Sequence, residues 1–256
     1  MGDKEEWSVM RNLIACALAV LVGGLAWGEE SVAVAAKPKA AIARPRYIPE
    51  EGPKHKWWLE RHEAKLAEAK ALGKEIDLVF IGDSITHGWE GHGKDVLAEL
   101  RQTYSVLPLG YNGDSTPNTI WRLQNGELDG YRAKLVMLML GTNNYDRPED
   151  VLAGMKEIVA LIRAKQPQAT LLLLAIFPRD ERPDGPSRQK NDRYNALLKT
   201  LADGQNVVWL DLASVFTTPE GVLPKAIFPD SLHPLKPGYE RWKNAVLPYF
   251  KKAVGK

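Results

Sequence analysis

The chain has 256 residues, of which 45% are hydrophobic, 26% charged and 8% aromatic, and its net charge is +2. These values describe one ordinary soluble domain with extra amino-terminal sequence, and they exclude a disordered or fibrous protein and a core in need of staples. Lys and Arg are spread along the chain without a block, so nucleic-acid binding has no electrostatic footprint.

At the amino end, an apolar run from Leu13 to Trp27 encloses Cys16, the one cysteine. The run falls short of the roughly 20 residues a membrane span needs. It fits the apolar region of a secretory signal, with Arg11 before it and Ala26-Trp27-Gly28 as a small-x-small cleavage site. Residues 1–28 are therefore expected to be a signal peptide of an exported, periplasmic or secreted protein. Asp3, Glu5 and Glu6 carry the wrong charge for such a segment, which points to Met10 as the start. The mature chain then has no cysteine and no thiol chemistry. Residues 29–53, with Pro38, Pro45, Pro49 and Pro53, show no period and read as a linker or extended arm ahead of a domain at 54–256.

From Trp57 to Leu72, Trp58, His62, Leu66, Ala69 and Leu72 recur at helical spacing, and Gly73 is a fitting cap. The run Ile76 to Ile81 reads as a buried strand, and Val96, Leu97 and Leu100 mark a short helix. Further strands are expected at 104–109, 133–140, 169–177 and 206–210. Helices are expected at 117–123, 150–165, 187–201 and 238–254. Strands alternating with helices at this spacing predict an α/β fold: a central, mainly five-stranded parallel sheet in a three-layer α/β/α sandwich.

Small and amide-bearing residues gather where the strands end: Gly82-Asp83-Ser84, Gly110-Tyr111-Asn112-Gly113-Asp114 and Gly141-Thr142-Asn143-Asn144. The carboxyl-end rim of an open α/β sheet is where ligands sit. A late loop adds Asp230-Ser231-Leu232-His233-Pro234. A serine hydroxyl needs a base in reach, usually a histidine oriented by a carboxylate, and a tight turn can fold Asp230 onto the imidazole of His233. An acyl-transfer oxyanion also needs donors, each worth ~3 kcal/mol. The candidates are the N–H groups of Ser84 and Gly113 and the amide of Asn143. Gly-Asp-Ser occurs twice, so spacing alone leaves Ser84 and Ser115 both open.

These four blocks, in this order over about residues 56 to 250, resemble those of the SGNH, or GDSL, hydrolases. Trp121-Arg122-Leu123-x-Asn125-Gly126-Glu127-Leu128 and Arg188-Gln189-Lys190-Asn191 are similar to the branch holding platelet-activating-factor acetylhydrolase catalytic subunits. The resemblance implies a flavodoxin-like SGNH fold with Ser84 as nucleophile, His233 as base and Asp230 as its orienting acid. It implies Ser84, Gly113 and Asn143 as the oxyanion hole, and its block order favours Ser84 over Ser115. Asn112 departs from the glycine usual in that branch.

Asp83 reads as a turn-shaping residue and Asn144 as a helix cap. His87 and His92 belong to the cleft mouth, and His55 and His62 to the leading helix. Trp57, Trp58, Trp121 and Trp242 sit at helical spacing and read as core. His87, Trp89 and Tyr145 are the expected substrate contacts.

A flavin or nucleotide module is disfavoured because Asp83 would repel a phosphate and the phosphate-binding glycine pattern is absent. A metal hydrolase lacks His-Glu-x-x-His and any third ligand at suitable spacing. No cofactor and no metal are therefore expected. The leading expectation is a serine esterase that works through an acyl-enzyme. The resemblance implies small acyl groups, and export favours O-acetylated sugars. A lysophospholipase or thioesterase, or a carbohydrate-binding module without catalysis, are the alternatives. The expected partner is a small ester or acetylated sugar, with no nucleic acid and no stable membrane span after signal removal. A homodimer is compatible with this reading.

Overall fold

Residues 36–255 are described by the computed structural model. The expected signal peptide and the start of the arm lie outside the described residues. In chain order the elements are α1 (Lys56–Leu72), β1 (Glu75–Gly82), α2 (Ser84–His87), α3 (Lys94–Arg101), β2 (Val106–Gly110), α4 (Thr116–Arg122) and β3 (Arg132–Met139). They continue with α5 (Pro148–Lys165), β4 (Thr170–Leu174), α6 (Pro186–Leu198), β5 (Val207–Leu210), α7 (Ala213–Phe216) and α8 (Lys236–Val254).

The five strands form one parallel sheet in the order β2-β1-β3-β4-β5. β1 is buried from Ile76 to Gly82 because both faces are covered, which is why its sequence is apolar apart from Asp77, whose carboxylate accepts from the Ser105 N–H at 3.2 Å and from Lys134 Nζ at 2.7 Å. Val79 and Ile81 pack with Ile120, Val151, Met155, Ile158 and Ile162 on one side. Leu78 and Phe80 pack with Val96, Leu100, Trp242, Val246 and Phe250 on the other. This is the expected α/β/α sandwich, with α1, α4, α5 and α6 against one face and α3, α7 and α8 against the other.

Topology places the site. The chain leaves β1 for β2 on one side and then crosses to β3 on the other, so the crevice of the reversal opens at the carboxyl end of β1. The register sets the rim loops level, because Gly82 is paired with Gly110 of β2 and with Met139 of β3.

Three local differences from the expected elements have physical causes. β4 ends at Leu174, short of the expected 177, because the side chain of Asn195 takes over the backbone of Ile176. Its Oδ1 accepts from the Ile176 N–H at 2.8 Å and its Nδ2 donates to the Ile176 carbonyl at 3.0 Å. Next, Pro237 stands in the first turn of α8, where a missing N–H is harmless, so the helix starts two residues ahead of the expected 238. Finally, residues 37–53, expected as a linker or arm, belong to the same compact unit as the rest. Ala40 and Ala41 are buried, and Arg44 N–H donates to the Pro117 carbonyl at 3.0 Å. Among the described residues no helix is long and apolar enough to cross a membrane.

Candidate active site

The chain turns out of β1 directly into α2, and Ser84 is the first residue of that short helix. Asp83 caps it, its Oδ1 accepting from the Ile85 N–H at 3.0 Å, so the acid shapes the turn as expected. α2 lies hard against β2, and a side chain at Gly110 would run into the backbone of Thr86 and His87. Burial pushes the Asp83 carboxyl up to about 7, against the pull of the Ile85 N–H; the charge of Asp114 adds to the rise and that of Arg179 opposes it. Oδ2 of Asp83 is buried without a side-chain or backbone hydrogen-bond partner among the described residues.

The late loop folds back to meet this serine. Ser231 takes a positive φ of 57°, and the Asp230 Oδ1 accepts from the N–H groups of Leu232 at 3.0 Å and His233 at 2.7 Å. The other oxygen, Oδ2, lies 2.6 Å from His233 Nδ1, and Nε2 lies 2.9 Å from Ser84 Oγ. Burial alone would raise the Asp230 carboxyl. The N–H groups and imidazole around it outweigh that and hold it below the ordinary range, so it is ionised at neutral pH. With Asp230 ionised, the proton sits on Nδ1 and Nε2 is free to accept from the Ser84 hydroxyl. The other Gly-Asp-Ser is different: Ser115 caps α4, with its N–H and hydroxyl both donating to Asn118 Oδ1, at 3.0 and 2.9 Å. Geometry thus separates the two serines that spacing left open.

The oxyanion-hole candidates share the rim. Gly113 has a φ of +74°, a conformation that favours glycine, and neither its N–H nor that of Ser84 has a partner among the described residues. Asn143 Nδ2 donates to the Asp114 carbonyl at 3.0 Å, which ties the third rim loop to the second and leaves its other N–H available. Asn144 braces α4, its Oδ1 accepting from the Thr116 N–H at 3.3 Å.

Beneath these loops lies a layer of buried charge to which sequence reasoning gave no role. Arg122, wholly buried, donates through Nε to Asp114 Oδ2 at 2.8 Å and through Nη1 to Glu127, and stacks on Tyr111 with its guanidinium 3.9 Å from the ring centre. Trp58 Nε1 donates to the other Asp114 oxygen at 2.7 Å. Glu127 also receives the Tyr111 hydroxyl at 2.5 Å and stands 3.2 Å from His62 Nδ1, so His62, on the leading helix as expected, is a buried structural residue. Burial pushes Asp114 up to about 6 despite Arg122. The third rim loop is braced in turn by Lys190, whose Nζ donates to the carbonyls of Thr142 at 2.6 Å and Asn144 at 2.8 Å. The signal was present in the sequence: Arg122 and Lys190 stand in the quoted family-like segments, and a charge in an otherwise buried helix needs partners.

An open cleft of about 690 Å³ runs from Ser84, Asp230 and His233 past His87, Glu90, His92 and Asn112. Of the expected substrate contacts, His87 lines it, and burial, reinforced by the charge of Arg61, pushes its imidazole down to about 4. Trp89 is a correction. The turn at Gly88–Glu90 rotates its indole inward, where it is wholly buried against Phe80, Tyr239 and Trp242 at ring separations of 5.5, 5.0 and 5.1 Å. Tyr145 is 79% exposed, outside the cleft lining, with Lys190 Nζ 4.2 Å from its ring centre. Trp58 and Trp242 are core as expected, whereas Trp57 is exposed at the outer surface of α1, its ring 6.5 Å from that of His87. Among the described residues no group of three or more His, Cys, Asp or Glu side chains is arranged to hold a metal ion.

Residues 80–241 match the model of the GDSL-like lipase/acylhydrolase family. The chain is 36% identical over 186 residues to platelet-activating factor acetylhydrolase IB subunit alpha2 of Rattus norvegicus, covering 72% of this chain and 79% of the relative. Among solved structures it is similar in fold to a GDSL-like lipase of Bacteroides thetaiotaomicron, with a TM-score of 0.62, 20% identity and coverage of 76% of this chain and 97% of the other. It is also similar to the acetylxylan esterase Axe2 of Geobacillus stearothermophilus, with a TM-score of 0.56, 21% identity and coverage of 70% and 95%.

Proposed function

Because this chain belongs to the GDSL-like lipase/acylhydrolase family and is an ester hydrolase, we propose that Ser84, His233 and Asp230 are its catalytic residues and that it removes small acyl groups, acetyl above all, from carbohydrate esters. The observation that carries the reading is the unbroken chain from Asp230 Oδ2 through His233 to Ser84 Oγ, with contacts of 2.6 and 2.9 Å.

Nε2 takes the Ser84 proton as Oγ attacks the ester carbonyl, and Asp230 stabilises the imidazolium that forms. The carbonyl oxygen becomes an oxyanion, received by the N–H of Ser84, the N–H of Gly113 and Nδ2 of Asn143. Collapse breaks the bond to the alcohol, which leaves with the proton from Nε2. Water, deprotonated by the same nitrogen, then attacks the acyl-Ser84 ester and releases the acid.

The substrate class rests on the cleft. Its walls carry His87, Glu90, His92 and Asn112, which suit the hydroxyls at the edge of a sugar, and Pro229, Leu235 and Tyr239, which suit its apolar face and a short acyl group. Acetyl is supported by the acetylhydrolase relatives. The apolar run at 13–27 supports export, which would put such glycans in reach.

The test is hydrolysis of p-nitrophenyl acetate, butyrate and octanoate and of a panel of acetylated glycans by the wild type and Ser84→Ala. Loss of all activity in Ser84→Ala, a preference for acetate and release of acetate from glycans are expected. Activity persisting in Ser84→Ala would overturn the assignment of the nucleophile, and a preference for octanoate would overturn the substrate class.

A further inference from the structure

The arm that precedes the matched residues 80–241 reaches the rim of the site. Four contacts strap residues 40–46 across the second rim loop and the start of α4. The Thr116 hydroxyl donates to the Ala40 carbonyl at 2.7 Å and Arg44 N–H to the Pro117 carbonyl at 3.0 Å. Asn118 Nδ2 donates to the Arg44 carbonyl at 3.2 Å, and the guanidinium of Arg46 donates through Nη1 to the carbonyl of Gly113. Arg46 also covers the α-carbon of Gly113 so closely that a methyl group there would lie 2.5 Å from Nη2.

We propose that Arg46 is a positioning residue for ester hydrolysis: by packing over the Gly113 α-carbon and holding the Gly113–Asp114 peptide through its carbonyl, it keeps Gly113 at the φ of +74° that sets its N–H towards the oxyanion. The inference rests on the reading of Gly113 as an oxyanion donor. Consider what holds this stretch of backbone. The Asp114 N–H donates to the Tyr111 carbonyl at 3.1 Å, the Asp114 carbonyl accepts from Asn143, and the Asp114 carboxylate is gripped by Trp58 and Arg122. All of these, like the Gly113 carbonyl that shares a peptide with the Asp114 N–H, lie on the carboxyl side of the Gly113 α-carbon. Arg46 adds a contact at the α-carbon itself, over which its guanidinium lies, and a residue without Cβ is otherwise free to turn about that atom. A free glycine would let its N–H swing, and an oxyanion donor works only when it is set before the charge develops. A guanidinium suits the task because its bond to a carbonyl is charge-assisted and its fork is planar and stiff.

The role predicts a loss in turnover rather than in substrate binding, since the donor acts on charge present only in the transition state. Deleting an oxyanion donor outright costs about 10²- to 10³-fold in kcat, and loosening one should cost about 10- to 100-fold. Arg46→Ala, Arg46→Lys, Asn143→Ala, Ser84→Ala and Arg44→Ala in the full chain are assayed on p-nitrophenyl acetate, with thermal melting of each. Among the described residues the guanidinium of Arg44 pairs with the exposed Glu51, so Arg44→Ala controls for loss of a charge from the arm. Expected are a lower kcat with unchanged KM for Arg46→Ala, partial recovery in Arg46→Lys, and partial rescue of Arg46→Ala by millimolar guanidinium. Wild-type kcat in Arg46→Ala, with Ser84→Ala and Asn143→Ala impaired, would overturn the inference alone. So would a kcat loss that guanidinium and lysine leave unrepaired and that tracks a fall in melting temperature, because the strap would then serve only stability. Full activity in Ser84→Ala or Asn143→Ala would remove the reading of the site and the inference with it.

Discussion

Asp83 offers a test of the local physics around the nucleophile that does not depend on any substrate. Its carboxyl is buried, accepts one N–H and leaves Oδ2 without a hydrogen-bond partner among the described residues, so ionising it is costly. The folded-state value of about 7 stands above the ordinary 3.8. The folded protein therefore binds more protons than the unfolded chain between about pH 4 and pH 7, and stability falls as pH rises through that window. The contribution is fully present below about pH 4 and lost above about pH 7, and at ~1.4 kcal/mol per pH unit it amounts to about 4 kcal/mol. Asp83→Asn keeps an oxygen for the Ile85 N–H and never ionises. It should match the wild type near pH 4 and be about 4 kcal/mol more stable at pH 8, which for a domain of this size is a gain of about 8–16 °C in melting temperature. Urea unfolding of both proteins across pH 4 to 8 measures it. Other titrating groups, such as Asp114 and Asp230, are common to both proteins and largely cancel in the difference. A stability difference that stays constant across the range would refute the argument and mean that Asp83 is ionised throughout.

Two further outcomes are expected. Asp230→Asn removes the charge that keeps the His233 proton on Nδ1 and should lower kcat by as much as ~10⁴-fold with little change in KM, measured by ester hydrolysis at neutral pH; unchanged turnover would make Asp230 a turn residue only. Trp89→Ala opens a cavity in the α8 face of the core and should cost about 3–5 kcal/mol in urea unfolding, while KM for acetyl esters stays near the wild-type value in the folded fraction; a large rise in KM at unchanged stability would restore the indole to the cleft.

What could be read from the sequence divides along a physical line. A strand buried on both faces must be largely apolar, and a rim that turns sharply and donates hydrogen bonds favours Gly, Asn and Asp, so β1 and its three rim loops are visible as composition. Trp89 was not, because the residues that claim its indole, Tyr239 and Trp242, lie about 150 positions away, and nothing near it in the chain says which way the turn at Gly88–Glu90 rotates. Ser84 and Ser115 stand in identical tripeptides and differ only in what meets them in space, His233 for one and Asn118 for the other. The arm was hidden for a different reason. It docks by backbone carbonyls and N–H groups, by Lys37 and Arg46 and by two adjacent small residues, Ala40 and Ala41, and such contacts leave no hydrophobic period for a sequence to display. The same holds for Asp114, Arg122 and Glu127: three charges within 14 residues resemble a solvated face until Trp58, Tyr111 and His62 arrive to satisfy them. Polar groups that position the site are thus the ones whose meaning depends on distant partners. In this protein the rim loops are legible in the sequence, whereas the buried charges and the arm that brace those loops are not.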